Sequence, residues 1–496
     1  MKYRQKGSYK DMKERKNIRI YHTHIEVYPY ILGECERIEK MLSVWVDAEY
    51  RYEPIAYFIK DNVLYLPRGF SIHMLQSEFG SSPIAVRKCS NSSSPSCKGL
   101  KVTAEPRDEL QEDAVNFLLC KNNFSKALSY SQQVLTLDTG KGKTYITTNA
   151  IIQSKKKAII ITHQEKIKEQ WMETFLKFTT VDKDCLMNVT SAKIDKILKG
   201  KLSADFYFVN HQTLNSYGKT HGWNKVEEFF EMTEVGIKVF DEAHLSFKNI
   251  MKIDFFSNVK KTFYLTATFG RSDTKEDIIY KRVLSSAIKF SSYDKKYNDR
   301  KHIIYVPVLY RSNPTTTDQQ MARNMYGFSV LGFFKYAMHG DQDQTMMMKF
   351  YHVFDMASSL EGKILITVPT IKDVDLLAEN IKKEYPNLDK TIGTIHSGHS
   401  KEENEEAEKC DIICSTIKSC GTGVDIQGLR CLINMEPFSS KIICNQLAGR
   451  LREYAKDKDT YFFDLIDIAF DTCERHYKNK LSVMKKKCKA IQNMRL

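Results

Sequence analysis

Two successive series of short apolar segments, each followed by a stretch with helical spacing, constrain the fold of this chain more than any other feature. Between about residues 104 and 285 the apolar segments read VLTLD, AIIIT, DFYFVN, IKVF and TFYLT. Between about residues 300 and 470 they read HIIYVPVLY, KILITVP, DIICSTI, CLINM and TYFFDLI. Short buried strands that alternate with helices are typical of a parallel sheet covered by helices on both faces. The sequence therefore predicts two tandem α/β domains with parallel sheets.

The first hundred residues have a different pattern. The segment Ile55–Phe70 alternates between apolar and polar residues and predicts two strands around a turn at Asp61–Asn62. The run SNSSSPS at 90–96 has too few apolar residues to build a core and predicts a linker. We therefore expect three domains, namely a small N-terminal α+β domain over 1–100, a first parallel-sheet domain over 101–290 and a second over 291–496.

After Glu474, apolar residues recur at helical spacing among several lysines. This pattern predicts a basic helix that closes the second domain. The lysines either form a solvated face of that domain or contact DNA, and the pattern leaves both interpretations open. The apolar positions are Leu481, Met484, Cys488 and Ile491, and the lysines are Lys485, Lys486, Lys487 and Lys489.

The chain has 75 Lys and Arg residues against 61 Asp and Glu residues, a formal net charge of +14. Such an excess favours polyanionic partners, although a lysine-rich genome alone gives the same surplus. Apolar runs such as Ala158–Ile161 are far shorter than the roughly 20 residues of a membrane span, and the N-terminus has no apolar signal core. The twelve cysteines show no CxxC spacing, which favours a reduced protein without structural zinc. We expect a cytoplasmic monomer without a membrane partner.

The turn after the segment VLTLD has the sequence TGKGKT. Its glycines let backbone amides approach phosphates, and the helix that follows adds the positive end of its dipole. Lys143 is expected to reach the β- and γ-phosphates of ATP, and the Thr144 hydroxyl to bind Mg²⁺. The usual first glycine of this pattern would fall at Leu137, which is a departure. The predicted phosphate loop consists of Thr139, Gly140, Lys141, Gly142, Lys143 and Thr144.

Two carboxylates follow the segment IKVF in the sequence DEAH. Open α/β sheets bind ligands at the carboxyl ends of their strands, so Asp241 and Glu242 are expected close to the phosphate loop. Asp241 is expected to hold Mg²⁺, and Glu242 to polarise the water that attacks the γ-phosphate. The two motifs together predict an enzyme that hydrolyses ATP with Mg²⁺.

With these motifs in this order, the chain resembles superfamily 2 helicases with a DEAH motif over about residues 104–470. The resemblance implies two RecA-like domains and ATP-driven movement along nucleic acid. It implies that His244, Thr266 and Thr268, in DEAH and TAT, couple the ATP state to the grip on the strand. It further implies that the helix through Gln170–Trp171 faces the nucleic acid. The implied nucleic-acid contacts are Thr162, His163, Gln212, Thr213, Thr416 and Thr422.

The segment QLAGRLR is similar to the last motif of the family. An arginine of the second domain would neutralise charge on the transferring phosphoryl group, so that hydrolysis depends on domain closure. The family pattern places its last arginine at 453, where this chain has Glu453, so the finger is open between Arg450 and Arg452. We expect both arginines to act together with Gln446. By the same resemblance, further ATP contacts are Arg107, Gln111, Gly423 and Asp425.

The preferred nucleic acid is predicted from small differences between helicase families. The motifs TAT and QLAGR stand where DEAD-box RNA helicases usually have SAT and HRxGR, which favours DNA. The layout and the segment LYLPRG resemble phage recombination helicases of the UvsW type, which implies branch migration or unwinding during recombination, repair or replication. If the protein is phage-encoded, the expected location is the host cytoplasm. Contacts with single-stranded, forked or branched DNA are expected to be independent of sequence. In the N-terminal domain Lys60, Tyr65 and Arg68 either contact duplex DNA or form a solvated strand edge.

Several alternatives share some or all of these motifs. A translocase that displaces proteins or transcripts, or anneals strands, without unwinding would share them all, and so would an RNA helicase. The motor subunit of a restriction system is disfavoured because the ends of the chain show no PD…ExK-type nuclease cluster. A binding module with an inactive ATP site is disfavoured by the intact Lys143, Thr144, Asp241 and Glu242.

Overall fold

The structure is a computed structural model that describes residues 16–80, 84–85, 96, 99–138, 140–267, 274–292, 295–297, 301–325, 327–421, 426–455 and 458–496. The chain divides into two compact units. The first consists of Met1–Leu137 with Gly142–Tyr293, and the second of Asp138–Lys141 with Asp294–Leu496. In the described ranges no helix combines the length and the apolar character that a bilayer crossing demands.

The N-terminal region of the first unit forms a small five-stranded sheet and a separate hairpin. The sheet order is β5-β6-β2-β1-β7, and all of its pairings are antiparallel except β1 with β7. The strands β5 and β6 flank Asp61–Asn62, which confirms the hairpin predicted from the alternating pattern. The elements are β1 (Asn17–Ile20), β2 (His24–Tyr28), α1 (Glu36–Met41), β3 (Ser43–Val46), β4 (Arg51–Pro54), β5 (Phe58–Lys60), β6 (Val63–Pro67), α2 (Ile72–Phe79) and β7 (Ile84–Ala85), with a 3-10 turn at Asp47–Glu49.

The rest of the first unit is a seven-stranded parallel sheet in the order β10-β11-β9-β12-β13-β8-β14. Its central strands are buried along their whole length, which explains why they are continuous apolar runs. The elements are α3 (Glu109–Leu119), β8 (Gln132–Thr136), α4 (Lys143–Ser154), β9 (Ala158–Thr162), α5 (Glu165–Phe178), β10 (Leu186–Asn188), α6 (Ser191–Leu198), β11 (Phe206–Asn210), α7 (His211–His221), α8 (Trp223–Thr233), β12 (Ile237–Phe240), α9 (Phe247–Phe255), β13 (Lys261–Thr266), α10 (Thr274–Val283) and β14 (Ile288–Ser291), with 3-10 turns at Asn122–Ser129 and Lys183–Cys185.

The second unit contains another parallel sheet, in the order β19-β20-β18-β21-β22-β15-β23, and β24 also pairs with β15. A small hairpin and a π-helical turn (Tyr336–Gly340) lie between the strand Ile303–Tyr310 and the helix Thr345–Ser358. The elements are β15 (Ile303–Tyr310), α11 (Thr316–Met321), β16 (Arg323–Asn324), β17 (Gly327–Phe328), α12 (Val330–Lys335), α13 (Thr345–Ser358), β18 (Lys363–Val368), α14 (Ile371–Glu384), β19 (Ile392–Ile395), α15 (Lys401–Ala407), β20 (Ile412–Thr416), α16 (Ile417–Gly421), β21 (Leu429–Asn434), α17 (Lys441–Ala448), β22 (Thr460–Asp467), α18 (Asp471–Lys487), β23 (Ala490–Ile491) and β24 (Met494–Arg495), with a 3-10 turn at Lys295–Tyr297. The expected pair of tandem parallel sheets with helices, and a small N-terminal sheet region, is confirmed.

The N-terminal sheet shares one hydrophobic core with the first parallel sheet. Tyr65 of β6 packs against Phe255 and Phe256, with ring centroids 6.3 and 5.1 Å apart. Gly69 lies directly against the end of α10, where an added Cβ would approach the Val283 carbonyl oxygen to 1.8 Å. The two sheets of the first unit are therefore packed as one body, and Gly69 is a position where only glycine fits.

The closing helix differs from its prediction at one end. It ends at Lys487, because Cys488 adopts an extended backbone with ψ 149°. Ile491, which has helical spacing in the sequence, lies instead in β23 and pairs with Tyr305 of β15. The last apolar position of the predicted helix is therefore wrong, while the helix itself is present.

Candidate nucleotide and nucleic-acid site

The phosphate loop is held by two glycines in left-handed backbone conformations. Gly140 and Gly142 both have φ of +83°, and Gly142 is the residue that precedes α4. A Cβ at Gly142 would lie 2.5 Å from Nε2 of Gln111, so the glycine also allows α3 to approach the loop. Oε1 of Gln111 accepts a hydrogen bond from the Arg107 backbone N–H at 3.0 Å. Gln111, one of the expected ATP contacts, thus lies beside the glycine-rich turn, and Arg107, another, is hydrogen-bonded to it.

Lys143 lies at the start of α4 and points back towards the loop. Its Nζ donates to the Leu137 carbonyl oxygen at 2.9 Å and lies 3.9 Å from Oε1 of Glu242. Thr144 follows on the first turn of α4. An ammonium group, a hydroxyl and carboxylates at one strand edge form a donor set that fits a nucleoside triphosphate with Mg²⁺, because Mg²⁺ prefers oxygen ligands.

The carboxylates of the DEAH sequence follow the buried strand β12. Oδ1 of Asp241 accepts the backbone N–H of Glu242 at 2.9 Å, and Oδ2 accepts the indole N–H of Trp171 at 2.8 Å. Desolvation and the neighbouring Glu242 raise the pKa of Asp241, while the Trp171 hydrogen bond lowers it. Trp171 is 1% exposed, so this residue faces Asp241 and not a nucleic-acid strand. The implied strand contact of Trp171 is therefore corrected, and the sequence motif gave no sign of its role at the carboxylate.

DEAH and TAT are joined by a short hydrogen-bond path. Nδ1 of His244 lies 2.9 Å from Oγ1 of Thr266 and 3.3 Å from Oε2 of Glu242. The backbone oxygen of Thr266 accepts the Leu137 N–H at 3.0 Å. Lys143 donates to the carbonyl oxygen of the same Leu137. The path therefore runs from Lys143 through Leu137 and Thr266 to His244, within the first unit. The second threonine of TAT, Thr268, lies outside the described residues.

The loops after β9 and β11 are tied together at the same sheet edge. The buried Thr162 donates its hydroxyl hydrogen to Oδ1 of Asn210 at 2.8 Å, and Gln212 donates to the His163 carbonyl at 3.3 Å. Gln212 is exposed, whereas Thr162 is fully buried and links the two strand ends through its hydrogen bond to Asn210. Thr213 is half-buried on the first turn of α7.

Two histidines lie at the ends of these strands. Burial lowers the pKa of His163, and burial with the nearby His163 lowers the pKa of His211 to about 4. Within the described ranges neither imidazole has a hydrogen-bond partner for its nitrogens. Both rings are therefore neutral near pH 7.

In the second unit the candidate residues lie on and after α17 and at the end of β20. Gln446 is on α17, and Arg450 and Arg452 follow the end of this helix, with Arg452 exposed. Thr416 donates its hydroxyl to Oγ of Ser419 at 2.9 Å and accepts the Ser419 N–H, so it caps the start of α16. Thr139, Thr422, Gly423 and Asp425 lie outside the described residues.

The N-terminal region offers an exposed aromatic hairpin that the sequence patterns did not single out. In β3 and β4, Trp45 and Tyr52 are cross-strand partners with ring centroids 5.0 Å apart, and Tyr50 lies at the turn. Their exposed fractions are 37%, 45% and 84%. Lys60 and Arg68, in contrast, are half-buried, and Tyr65 is packed on α9.

Comparison with protein families matches two stretches of the chain. The model described as "Type III restriction enzyme, res subunit" matches residues 105–271, and "Helicase conserved C-terminal domain" matches residues 345–453. Helicase 161L of Invertebrate iridescent virus 6 is 23% identical over 392 residues, which are 73% of this chain and 78% of that protein. The XPB helicase/translocase subunit of general transcription and DNA repair factor IIH of Drosophila melanogaster is 28% identical over 29% of this chain, and the match spans 18% of that longer protein.

Solved structures share the fold at low sequence identity. A fragment of an HsdR subunit of a type I restriction enzyme from Vibrio vulnificus YJ016 has a TM-score of 0.52 at 13% identity, over 92% of this chain and 78% of the fragment. UvsW of phage T4 is 15% identical over 97% of this chain and 99% of its own, with a TM-score of 0.35. The two family models therefore match one stretch in each unit, and each stretch includes one half of the predicted motif set. A helicase hydrolyses ATP while it acts on nucleic acid. On these grounds the chain belongs to the superfamily 2 helicases.

Proposed function

We propose that this helicase acts on DNA and couples ATP hydrolysis to unwinding or branch migration of forked and branched substrates. The observation that carries the proposal is the hydrogen-bond path from Lys143 through Leu137 and Thr266 to His244. It joins the lysine expected at the γ-phosphate to the TAT motif through packed polar groups. A change at the phosphate can thus reach the elements that grip the strand.

The ATP step would use residues of both units. Lys143, Thr144 and Asp241 would hold the phosphates and Mg²⁺, and Glu242 would orient the attacking water. Gln446, Arg450 and Arg452 would supply the charge that stabilises the transferring phosphoryl group. The adenine would be read by Gln111 with Arg107. The position of Gln111 beside the glycine-rich turn, and its hydrogen bond from the Arg107 backbone, support this role. Mg²⁺ supplies Lewis-acid stabilisation of the phosphate charge.

Two features favour DNA over RNA. The chain has TAT and QLAGR in place of the motifs usual in DEAD-box RNA helicases. The name of the XPB relative refers to transcription and DNA repair. The net charge of +14 suits the phosphate backbone of either nucleic acid, and binding should weaken steeply with salt. Strand contacts would come from His163, Gln212, Thr213, Thr416 and Thr422, with Thr162 as a positioning residue for the first of these loops.

The aromatic hairpin of Trp45, Tyr50 and Tyr52 is a second proposed contact surface, for nucleic-acid bases. Arg51 pairs with Glu49 and Lys40 with Glu36, so the hairpin has little excess positive charge. Stacking of bases on the exposed rings, worth roughly 1–3 kcal/mol per base, would then carry the contact. This part of the binding energy should depend little on salt.

The hairpin is also braced by helices that follow the motor motifs. Lys275 of α10 donates to the Trp45 carbonyl at 3.4 Å, and Arg282 donates to the Met41 carbonyl at 2.8 Å. Lys248 of α9 pairs with Glu53 of β4. Since α9 follows DEAH and α10 follows TAT, these contacts can pass movement of the ATP site to a surface that touches bases.

The test compares ATPase stimulation by single-stranded, duplex and four-way-junction DNA and by RNA, measured side by side. The proposal expects the largest stimulation with a DNA, and with branched DNA in the unwinding assay. Unwinding of a forked duplex is measured beside streptavidin displacement, because a translocase without unwinding gives only the second signal. Stimulation by RNA alone would replace the proposal with an RNA helicase.

The role of the hairpin is tested with Trp45→Ala and Tyr52→Ala. The matched control is Tyr130→Ala, which removes a similarly exposed tyrosine of the same unit, 42% exposed, away from the hairpin. Weaker binding of a fluorescent forked DNA by both hairpin variants, with no change in the control, is expected. Equal affinity of all four proteins would remove the hairpin from the binding surface.

A further inference from the structure

A cluster of two imidazoles and one carboxylate lies at the edge of the second parallel sheet. His396 and His399 are in the turn between β19 and α15, and Asp375 is on α14. One ligand atom from each of the three residues lies within 4.8 Å of the other two. We propose that Asp375, His396 and His399 bind a divalent cation of the Zn²⁺ type, with water at the remaining coordination position.

The turn that carries the histidines is fixed by one asparagine. Oδ1 of Asn404 accepts the His396 backbone N–H at 3.1 Å. Its Nδ2 donates to the backbone oxygens of Ser400, His396 and His399 at 3.0, 3.2 and 3.4 Å. Asn404 itself lies on α15, whose start is held by a capping box at Ser400 and Glu403. The two imidazoles are thus presented by a preorganised turn, which lowers the entropic cost of ligand binding.

The hydrogen bonds of His399 leave the correct nitrogen available. Its Nδ1 lies 3.1 Å from the Thr394 carbonyl oxygen, which can only accept, so Nδ1 carries the proton. Nε2 of His399 therefore has a free lone pair. A backbone carbonyl behind the ring of a metal-ligating histidine is the usual outer-shell arrangement, because it fixes the tautomer and raises ligand basicity.

His396 and Asp375 already lie at ligand spacing. Nε2 of His396 and Oδ1 of Asp375 are 3.2 Å apart. With metal–ligand bonds of about 2.0–2.1 Å in a tetrahedron, two ligand atoms are roughly 3.3 Å apart. The side chain of Asp375 is 51% exposed and His399 is half-buried, so both can rotate to close the remaining distance. Two imidazoles with one carboxylate favour Zn²⁺ or its neighbours over Mg²⁺ and Ca²⁺.

Cation binding would rearrange the turn. Nδ1 of His396 accepts the Gly398 backbone N–H at 3.2 Å, so the proton of this ring is on Nε2. Coordination through Nε2 moves that proton to Nδ1, and the hydrogen bond from the Gly398 amide to Nδ1 must then break. The turn follows β19, which lies beside β20, and β20 ends at Thr416. If Thr416 contacts the strand as proposed above, the cation would adjust the surface next to that contact.

The binding test uses the full-length chain, freed of metal by a chelator and without nucleotide or nucleic acid. Co²⁺ is titrated in the presence of excess Mg²⁺, which occupies the oxygen ligands of the ATP site, and the visible absorption of Co²⁺ is recorded. A saturable band at one equivalent, removed by Zn²⁺ but not by Ca²⁺, is expected. Absence of a saturable band overturns the proposal.

Variants locate the site. His399→Ala and Asp375→Asn should each weaken Co²⁺ affinity by roughly tenfold or more. The control His352→Ala removes an exposed histidine of the same unit and should bind like the wild type. Hydrogen exchange of the Gly398 amide should change on Zn²⁺ addition in the wild type and in the control, but not in His399→Ala. Unchanged affinity in both cluster variants would also overturn the proposal, and because no step depends on ATP or DNA, the result is independent of the proposed function.

Discussion

The indole nitrogen of Trp171 donates a hydrogen bond to Oδ2 of Asp241, the carboxylate expected to hold Mg²⁺, at 2.8 Å. The donor comes from α5, which is separated in sequence from DEAH by the three strands β10, β11 and β12. It stabilises the ionised form of a carboxylate whose pKa is raised by desolvation and by Glu242. Trp171 thus supports, through a hydrogen bond, the carboxylate that is expected to bind Mg²⁺.

Trp171→Phe should shift the ATPase to higher pH and higher Mg²⁺ concentration. Loss of the Trp171 hydrogen bond removes a contact that favours the ionised form, so the pKa of Asp241 rises further. Mg²⁺ needs the ionised carboxylate, so activity should fail first at the acidic end of the pH profile. Trp223→Phe, at another buried tryptophan of the first unit, is the control for lost packing. Identical pH profiles for wild type and Trp171→Phe would refute the role.

Lys143→Ala should lower DNA-stimulated ATP turnover by at least about a hundredfold, because the variant loses the charge aimed at the transferring phosphate. The fold should be retained, since Lys143 lies at the start of α4 and outside the hydrophobic core. The control Lys155→Ala removes a lysine at the other end of the same helix. Circular dichroism and steady-state ATPase are the measurements. Substantial turnover by Lys143→Ala would contradict the assignment of the ATP site.

Thr266→Val should separate ATP hydrolysis from its stimulation by nucleic acid. The valine keeps the shape but cannot pair with Nδ1 of His244, so a link worth about 1–1.5 kcal/mol is lost and stimulation should fall by roughly tenfold, with basal turnover less affected. The control is Thr262→Val on the same strand, whose buried hydroxyl has no hydrogen-bond partner in the described structure. If both variants are stimulated equally, the path from Lys143 to His244 is not used for coupling.

Glu436→Gln should stabilise the second unit at alkaline pH. Burial raises the pKa of Glu436 from 4.5 to about 7. The folded state therefore holds the proton more tightly, and the wild type loses stability as pH rises from 4.5 through 7. Above pH 7 the glutamine variant should be more stable by about 1–2 kcal/mol, a value reduced for partial solvent access, and near pH 4.5 the difference should vanish. Thermal unfolding against pH measures this, with the exposed Glu402→Gln as control. A pH-independent difference would contradict the buried-proton explanation.

Gly69→Ala should destabilise the first unit, because its Cβ would approach the Val283 carbonyl oxygen to 1.8 Å and the backbone of α10 must move. Overpacking of this kind costs about 1–3 kcal/mol. Gly80→Ala is the control, since nothing lies within 4 Å of an added Cβ there and only its φ of +61° is unfavourable. Denaturant unfolding of the first unit should show the larger loss for Gly69→Ala. A smaller loss of unfolding free energy in Gly69→Ala than in Gly80→Ala would show that the backbone of α10 moves at little cost.

The parallel strands were predictable because they are buried on both faces and read as apolar runs. The glycines of the phosphate loop and the carboxylates after β12 were predictable because strand ends meet at one sheet edge. Trp171 was not, since helical periodicity indicates that a residue is buried but not which atom it faces. Lys238 was missed for a similar reason: it interrupts the run IKVF, yet it is completely buried and paired with Asp254 of α9.

The Asp375–His396–His399 cluster illustrates a second limit. The spacing H-x-x-H is visible in the sequence, but its carboxylate comes from a helix twenty-one residues earlier. Only the tertiary structure brings these residues together. The predicted end of the closing helix was wrong for a related reason. Ile491 keeps helical spacing in the sequence, but the chain has already left the helix there and pairs with β15.

The contact of Gly69 with α10 and of Tyr65 with Phe256 has a practical consequence for anyone who wishes to isolate a minimal helicase. A fragment that begins after residue 100 would retain every sequence motif of the ATP site, yet it would expose Phe255, Phe256 and the end of α10 to water. Such a fragment should aggregate, and its inactivity would reveal nothing about whether the N-terminal region touches DNA.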